Sequence, residues 1–188
     1  MVHSLTPNLI LIGFMGTGKS TIGRLCARAL RFRFADTDAL IERRTRRTVS
    51  AIFSEEGEPE FRRLEAQAVN DLAMRANVVI ATGGGAVLNP ANASVLQASG
   101  VLIWLRVEPE EILRRCGTRE SRPLLAGAAE PLDRIREMLT AREPYYRAAA
   151  DACVITTGAR REDAAAAVLE AYHGLASQWP HLPGRRSS

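Results

Sequence analysis

Two spacings of apolar residues alternate along the chain. Five short runs, at 9–12, 32–35, 78–81, 101–105 and 152–156, are compact and rich in branched or aromatic side chains, as buried strands are. Between them the apolar positions recur every three or four residues. Segment 19–30 places Ile22, Leu25, Cys26, Ala29 and Leu30 on one face, which predicts an amphipathic helix. A helical stretch from 49 to 74 is broken near Gly57-Glu58-Pro59, so the spacing predicts a short helix over 49–55 and a longer one starting near Pro59. Asn89-Pro90 reads as an N-cap followed by proline at the first helical position, and Pro109 opens another helix to about Arg115. Leu132, Ile135 and Leu139 point inward from a helix that starts at about Pro131 and ends at Arg142-Glu143-Pro144-Tyr145-Tyr146. Ala165, Val168, Leu169 and Tyr172 line a last helix. Strands alternating with helices predict an α/β fold with a parallel sheet covered on both faces, without internal repeats. Residues 1–179 are read as a single domain and 180–188 as a disordered tail.

Composition narrows the class without changing this outline. A chain of 188 residues, 46% hydrophobic and 24% charged, is an ordinary globule, and no apolar run approaches the ~20 residues that span a bilayer. The first apolar run is short, has no basic flank and leads straight into the glycine motif below, so it is not read as a cleaved leader. A cytoplasmic location and no membrane partner are expected. Cys26, Cys116 and Cys153 are odd in number and widely spaced, which speaks against a disulfide framework and a zinc site; Cys26 belongs to a buried face. His3, His173 and His181 lie near the ends, away from every motif. The net charge of +4 could indicate nucleic acid. However, the densest basic cluster, Arg43-Arg44-Thr45-Arg46-Arg47, is short and lacks aromatics for base stacking; it reads as a solvated helix end. The excess charge is better suited to attracting small anions, and the expected molecule is a monomer without a nucleic-acid partner.

The candidate chemistry starts at Gly13-Phe14-Met15-Gly16-Thr17-Gly18-Lys19-Ser20. The spacing G-x-x-x-x-G-K-S between a strand and a helix is a phosphate-binding loop, whose backbone N–H groups turn inward around phosphate oxygens. Gly16, Thr17, Gly18, Lys19, Ser20 and Thr21 are thus candidate ATP ligands, with Lys19 reaching the terminal phosphates and Ser20 ligating Mg²⁺. Lys19 is the one lysine among 25 lysines and arginines. Where a surface cation suffices the chain uses arginine, and it keeps the slim point charge for the position beside a phosphate chain. Asp36 and Asp38 follow the second strand, at the edge where open parallel sheets bind ligands. If the backbone stays extended, both carboxylates face the same way, toward metal and acceptor; otherwise the pair reads as a helix N-cap. Arg62 and Glu65 share a helix face, either as a surface ion pair or with the carboxylate holding the guanidinium in place. Gly83-Gly84-Gly85 after the third strand suits close approach of backbone to a ligand, or a tight turn. The aperiodic stretch at about 116–129, with Arg119 and Arg122 and preceded by Arg115, reads as a mobile basic lid over phosphates, or as a plain surface loop.

Together these parts imply phosphoryl transfer to a small hydroxylated acceptor, and the spare arginines Arg62 and Arg142 imply that the acceptor is an anion. The chain resembles the bacterial shikimate kinases from about Asn8 to Tyr172. The resemblance rests on the loop motif, Asp36-Thr37-Asp38, Phe61-Arg62-Arg63-Leu64-Glu65, Gly83-Gly84-Gly85, Arg122-Pro123-Leu124-Leu125 and Arg142-Glu143-Pro144-Tyr145-Tyr146, in that order. It implies a three-layer P-loop kinase fold with five parallel strands in the order 2-3-1-4-5. It further implies transfer of the ATP γ-phosphate to the 3-hydroxyl of shikimate, in the pathway to chorismate and the aromatic amino acids. By the same resemblance Asp38 contacts that hydroxyl and is the base, and Asp36 holds Mg²⁺ through water. Arg62 and Arg142 bind the shikimate carboxylate, Gly83, Gly84 and Gly85 line the substrate, Arg122 meets the transferred phosphate and Arg115 lies against adenine. The match is weakest at Thr157-Gly158-Ala159-Arg160-Arg161, where the family's adenine loop falls. A kinase for gluconate or a nucleoside monophosphate would keep the phosphate loop without requiring the Arg62, triple-glycine and Arg142 set. A GTPase would need a second lysine to read guanine, and a binding module would have no use for Asp38.

Overall fold

The computed structural model describes residues 6–116, 130–179 and 181. Five strands, β1 (Asn8–Ile12), β2 (Arg33–Asp36), β3 (Val78–Ala81), β4 (Gly100–Arg106) and β5 (Ala152–Ile155), form one sheet. Its order is β2-β3-β1-β4-β5 and every pairing is parallel, as the resemblance implies. The central strand explains the unbroken apolar run in the sequence, because a strand covered on both faces has no solvent side to keep polar. Ile10 and Ile12 join a core under the helices α2 (Thr37–Thr45), α4 (Gly57–Ala73) and α5 (Pro90–Ser99), while Leu9 and Leu11 join the core under α1 (Lys19–Leu30) and α8 (Arg161–Ala176). All four side chains are fully buried, each contributing roughly 1.5–3 kcal/mol of transfer free energy. A third cluster of Phe14, Val107, Ile112, Cys116, Ile135 and Met138 packs α6 (Pro109–Cys116) and α7 (Pro131–Ala149) beneath the glycine loop.

Helix starts follow local chemistry. Thr48 caps α3 (Val49–Glu55) by accepting from the Ala51 N–H, and Asn89 caps α5 by accepting from that of Ala91. Two expected boundaries move. The long helix begins at Gly57, whose φ of 83° lets the chain turn out of α3, and Pro59 sits inside the first turn, where its missing N–H costs nothing. More consequentially, α7 does not end at Arg142–Tyr146 but runs through Pro144 to Ala149. Packing of Met138, Tyr146 and Ala149 against the core outweighs the one helical hydrogen bond that Pro144 removes. Cys26 is buried as expected, and all three cysteines are free. Among the described residues no helix is long and apolar enough to cross a membrane. The expected lid at 116–129 lies outside the described residues apart from Cys116, which ends α6; the 180–188 tail does so apart from His181.

Candidate active site

The carboxyl ends of β1, β2 and β3 converge on one cleft. After β1 the loop turns at Gly16 and Gly18, with φ of 75° and 91°, which side chains with a Cβ rarely adopt, and α1 begins at Lys19. Lys19 is buried against the loop and its Nζ donates to the Gly13 and Phe14 carbonyls at 2.8 and 2.7 Å. Its charge is therefore held inside the ring of backbone that would wrap a phosphate.

Ser20, on the first turn of α1, donates to Asp36 Oδ2 at 2.6 Å. The other oxygen of Asp36 accepts from the Asp38 and Ala39 N–H groups at 3.0 and 3.2 Å. Asp36 is thus the N-cap of α2, and Asp38 stands in the first helical turn. Of the two readings of this pair the helix N-cap holds, with Asp36 as the cap: the two carboxylates reach the same cleft because the chain turns into a helix between them. Oδ2 of Asp36 and Oγ of Ser20 are paired hard-oxygen donors of the kind that bind Mg²⁺, which usually takes few protein ligands and completes its shell with water and phosphate. Among the described residues there is no cluster of three or more acidic, His or Cys side chains suited to a metal.

Asp38 is pushed up to about 6, first by burial and then by the nearby charges of Asp36 and Glu65, with Lys19 opposing the shift. Glu65 is 1% exposed. Its Oε2 accepts from Arg62 at 2.8 Å, and Arg62 also forks onto Glu58 at 2.9 and 3.1 Å. The Arg62–Glu65 contact is therefore no surface ion pair. Burial raises the Glu65 pKa, and Arg62 and Arg142 both pull it back down.

Backbone room decides the glycines. A Cβ on Gly83 would sit 2.7 Å from Glu65 Oε1 and 2.8 Å from Asp38 Oδ1, and one on Gly85 would overlap the Arg62 guanidinium at 2.6 Å. Gly84 packs against the phosphate loop, where a Cβ would lie 3.3 Å from the Met15 nitrogen. The Thr37 hydroxyl accepts from the Gly83 N–H at 2.7 Å, fixing this loop to the start of α2. Arg142 reaches in from α7, its guanidinium carbon 5.4 Å from the centre of the Phe14 ring.

Behind the phosphate loop opens a cavity of about 680 Å³ lined by Gly18, Thr21, Arg114, Arg115, Thr156 and the 158–162 segment. Arg115 is held in its wall by Glu111 at 2.8 Å and by the Thr156 carbonyl at 2.9 Å. Arg122 lies outside the described residues. Phe14, Thr37 and Tyr146 stand inside the sequence motifs without a role of their own there, and Glu111 stands outside them; all four are parts of the site. Only Tyr146, four residues after Arg142, carried a periodicity signal, and the presumed helix end at Pro144 concealed it.

A glycine loop that curls around a buried lysine, set on a five-stranded parallel sheet with acids and arginines across the cleft, defines a P-loop kinase of small molecules. A gluconokinase from Sinorhizobium meliloti 1021 shares this fold, with a TM-score of 0.55 at 16% identity over 93% of this chain and 98% of that one. Much nearer relatives settle the family. The shikimate kinase family model matches residues 15–173, and the chain belongs to that family. It is 47% identical over 165 residues to the shikimate kinase of Caldanaerobacter subterraneus subsp. tengcongensis, covering 88% of this chain and 95% of the relative. It is also similar to the shikimate kinase from Acinetobacter baumannii solved in complex with shikimate, at 36% identity and a TM-score of 0.87 over 94% of this chain and 97% of that one.

Proposed function

We propose that the protein phosphorylates the 3-hydroxyl of shikimate with ATP, giving shikimate 3-phosphate and ADP. The observation that carries the reading is the convergence of two guanidiniums from distant segments on one cleft: Arg62 of α4, paired with buried Glu65, and Arg142 of α7, set 5.4 Å from the Phe14 ring of the phosphate loop and acting electrostatically on the same carboxylate. Two arginines from distant segments suit an anionic acceptor, whether it carries a carboxylate, as shikimate and gluconate do, or a phosphate. Family membership selects shikimate among these.

In the proposed mechanism the phosphate-loop N–H groups and Lys19 hold the β- and γ-phosphates. Ser20 and Asp36 hold Mg²⁺, which neutralises charge on the phosphates when bound. Asp38 accepts the proton of the attacking hydroxyl, and its raised pKa keeps it a competent base at neutral pH without making it a permanently solvated anion. Arg62 and Arg142 orient the acceptor through its carboxylate, with the Gly83, Gly84 and Gly85 backbone against its ring. Arg115 lies against adenine, and Arg122 neutralises the migrating phosphoryl group. The protein is proposed to work as a cytoplasmic monomer.

A coupled ADP-release assay with ATP and Mg²⁺ across shikimate, gluconate, AMP and no acceptor tests this. Turnover with shikimate alone is expected, and Arg62→Ala or Arg142→Ala should each raise its KM roughly ten- to a hundredfold, as for loss of a charge-assisted bond, with little change for ATP. Equal turnover with gluconate would overturn the acceptor assignment.

A further inference from the structure

Tyr146 carries no part of the mechanism above, yet it is built into the acceptor side of the cleft. The side chain is 1% exposed, and its hydroxyl donates to the Gly84 carbonyl at 2.5 Å. Arg142, one turn earlier on the same helix, acts electrostatically on the same phenol, as do Arg62 and Glu65. The ring stacks on Trp104 of β4, with centroids 5.8 Å apart and planes 27° from parallel. Tyr146 therefore cannot swing away without opening the core beneath it, and its oxygen is delivered to a set place.

Three consequences meet at that oxygen. Tyr146 and Arg142 are four residues apart on α7, so they project from the same face one turn apart, which holds only because the helix continues through Pro144. Gly84 is the middle residue of the glycine loop and packs on the phosphate loop. Its neighbours Gly83 and Gly85 leave room for Asp38 and Arg62. A phenol has one O–H to donate and lone pairs to accept with. With its proton committed to the Gly84 carbonyl, only its lone pairs face Arg142. A guanidinium has donors and no acceptor, so such lone pairs can orient it, and that of Arg142 also lies 5.4 Å from the centre of the Phe14 ring.

We propose that Tyr146 is a positioning residue for acceptor recognition, setting the orientation of the Arg142 guanidinium and the seat of the glycine loop through one hydroxyl. It touches neither nucleotide nor the transferred phosphate. Its effect falls on binding of the acceptor carboxylate, and the inference rests on the reading of Arg142 given above.

The test is Tyr146→Phe, which keeps the ring and its stack on Trp104 and removes only the hydroxyl. Shikimate KM and its directly measured Kd should rise about tenfold, while the ATP KM changes less than twofold and kcat at saturating shikimate falls less than threefold. A neutral ester of shikimate should bind Tyr146→Phe and wild type alike. In a double-mutant cycle, Tyr146→Phe should add little once Arg142 is alanine. The inference is overturned if Tyr146→Phe leaves shikimate affinity unchanged while Arg142→Ala weakens it. It is equally overturned if ATP and shikimate lose affinity together, the sign of a general loosening, or if the two mutations are additive. If Arg142→Ala itself leaves shikimate affinity intact, the carboxylate reading falls first and takes this inference with it, so the two failures are distinguishable.

Discussion

Single side chains set the chemistry of this cleft through what surrounds them. Lys19 is threaded between two carbonyls of its own loop at 2.7 and 2.8 Å, a slot that accepts a slim ammonium group. A planar guanidinium keeps the charge but not the fit, so Lys19→Arg is expected to lose at least about a hundredfold in kcat, measured by ADP release; retention within about tenfold would remove Lys19 from its assigned role. Asp38 carries opposing demands. Its pKa of about 6 lies above the ordinary aspartate value, so the folded state binds its proton more tightly than the unfolded chain does. Below the unfolded value the group is neutral in both states and costs nothing. As pH rises through about 6 the charge must be held beside Asp36 and Glu65, and stability falls. Two results follow at once. Activity should decline as pH drops through about 6, since the base is then protonated. Asp38→Asn should abolish most turnover yet raise the melting temperature above pH 7, by the equivalent of up to about 3 kcal/mol, because it removes a charge that burial and then the neighbouring Asp36 and Glu65 disfavour. An Asp38→Asn protein that is both inactive and less stable at pH 7.5 would show that the carboxylate is structurally satisfied.

At the scale of elements, the site is a matter of which backbone approaches which side chain. The turn after β3 passes so close to α4 that a methyl group on Gly85 would lie 2.6 Å from Arg62 Nη1. Gly85 has φ of −110°, open to any residue, so Gly85→Ala brings no backbone strain. The clash is with the far end of a flexible side chain. Gly85→Ala is therefore expected to displace Arg62, raising shikimate KM about tenfold, with roughly 1–3 kcal/mol lost in a urea titration as buried Glu65 loses part of its pairing. A large stability loss with unchanged KM would mean that the glycine serves the turn alone. The same logic explains the aspartate pair. Asp36 does the work of an N-cap and still presents its second oxygen to Ser20, so the start of α2 and the proposed metal position are built by one side chain.

At the scale of the molecule, ligands should be felt as stability. The proposed Mg²⁺–ATP complex needs the folded cleft, so at about a hundredfold excess over Kd it should add roughly 2.7 kcal/mol, visible as a rise in melting temperature. Chelation of Mg²⁺ should cancel most of that rise and stop turnover; an ATP-induced shift indifferent to chelator would argue against Ser20 and Asp36 as metal ligands. The sequence by itself determined the parallel sheet, the phosphate loop and the starts of α1, α3, α5, α6 and α7, because these rest on short-range patterns: unbroken apolar runs, a fixed glycine spacing, caps and prolines next to the helices they begin. It also held the family in six ordered motifs. The tertiary structure decided what depends on distant segments meeting. Pro144 reads locally as a helix end, and only the burial of Tyr146 and Ala149 overrules it. Arg62 and Glu65 read locally as an ordinary surface pair, and only the glycine turn packed over them buries the carboxylate and aims the guanidinium. Burial is a property of the whole packed chain, and no window of neighbouring residues contains it.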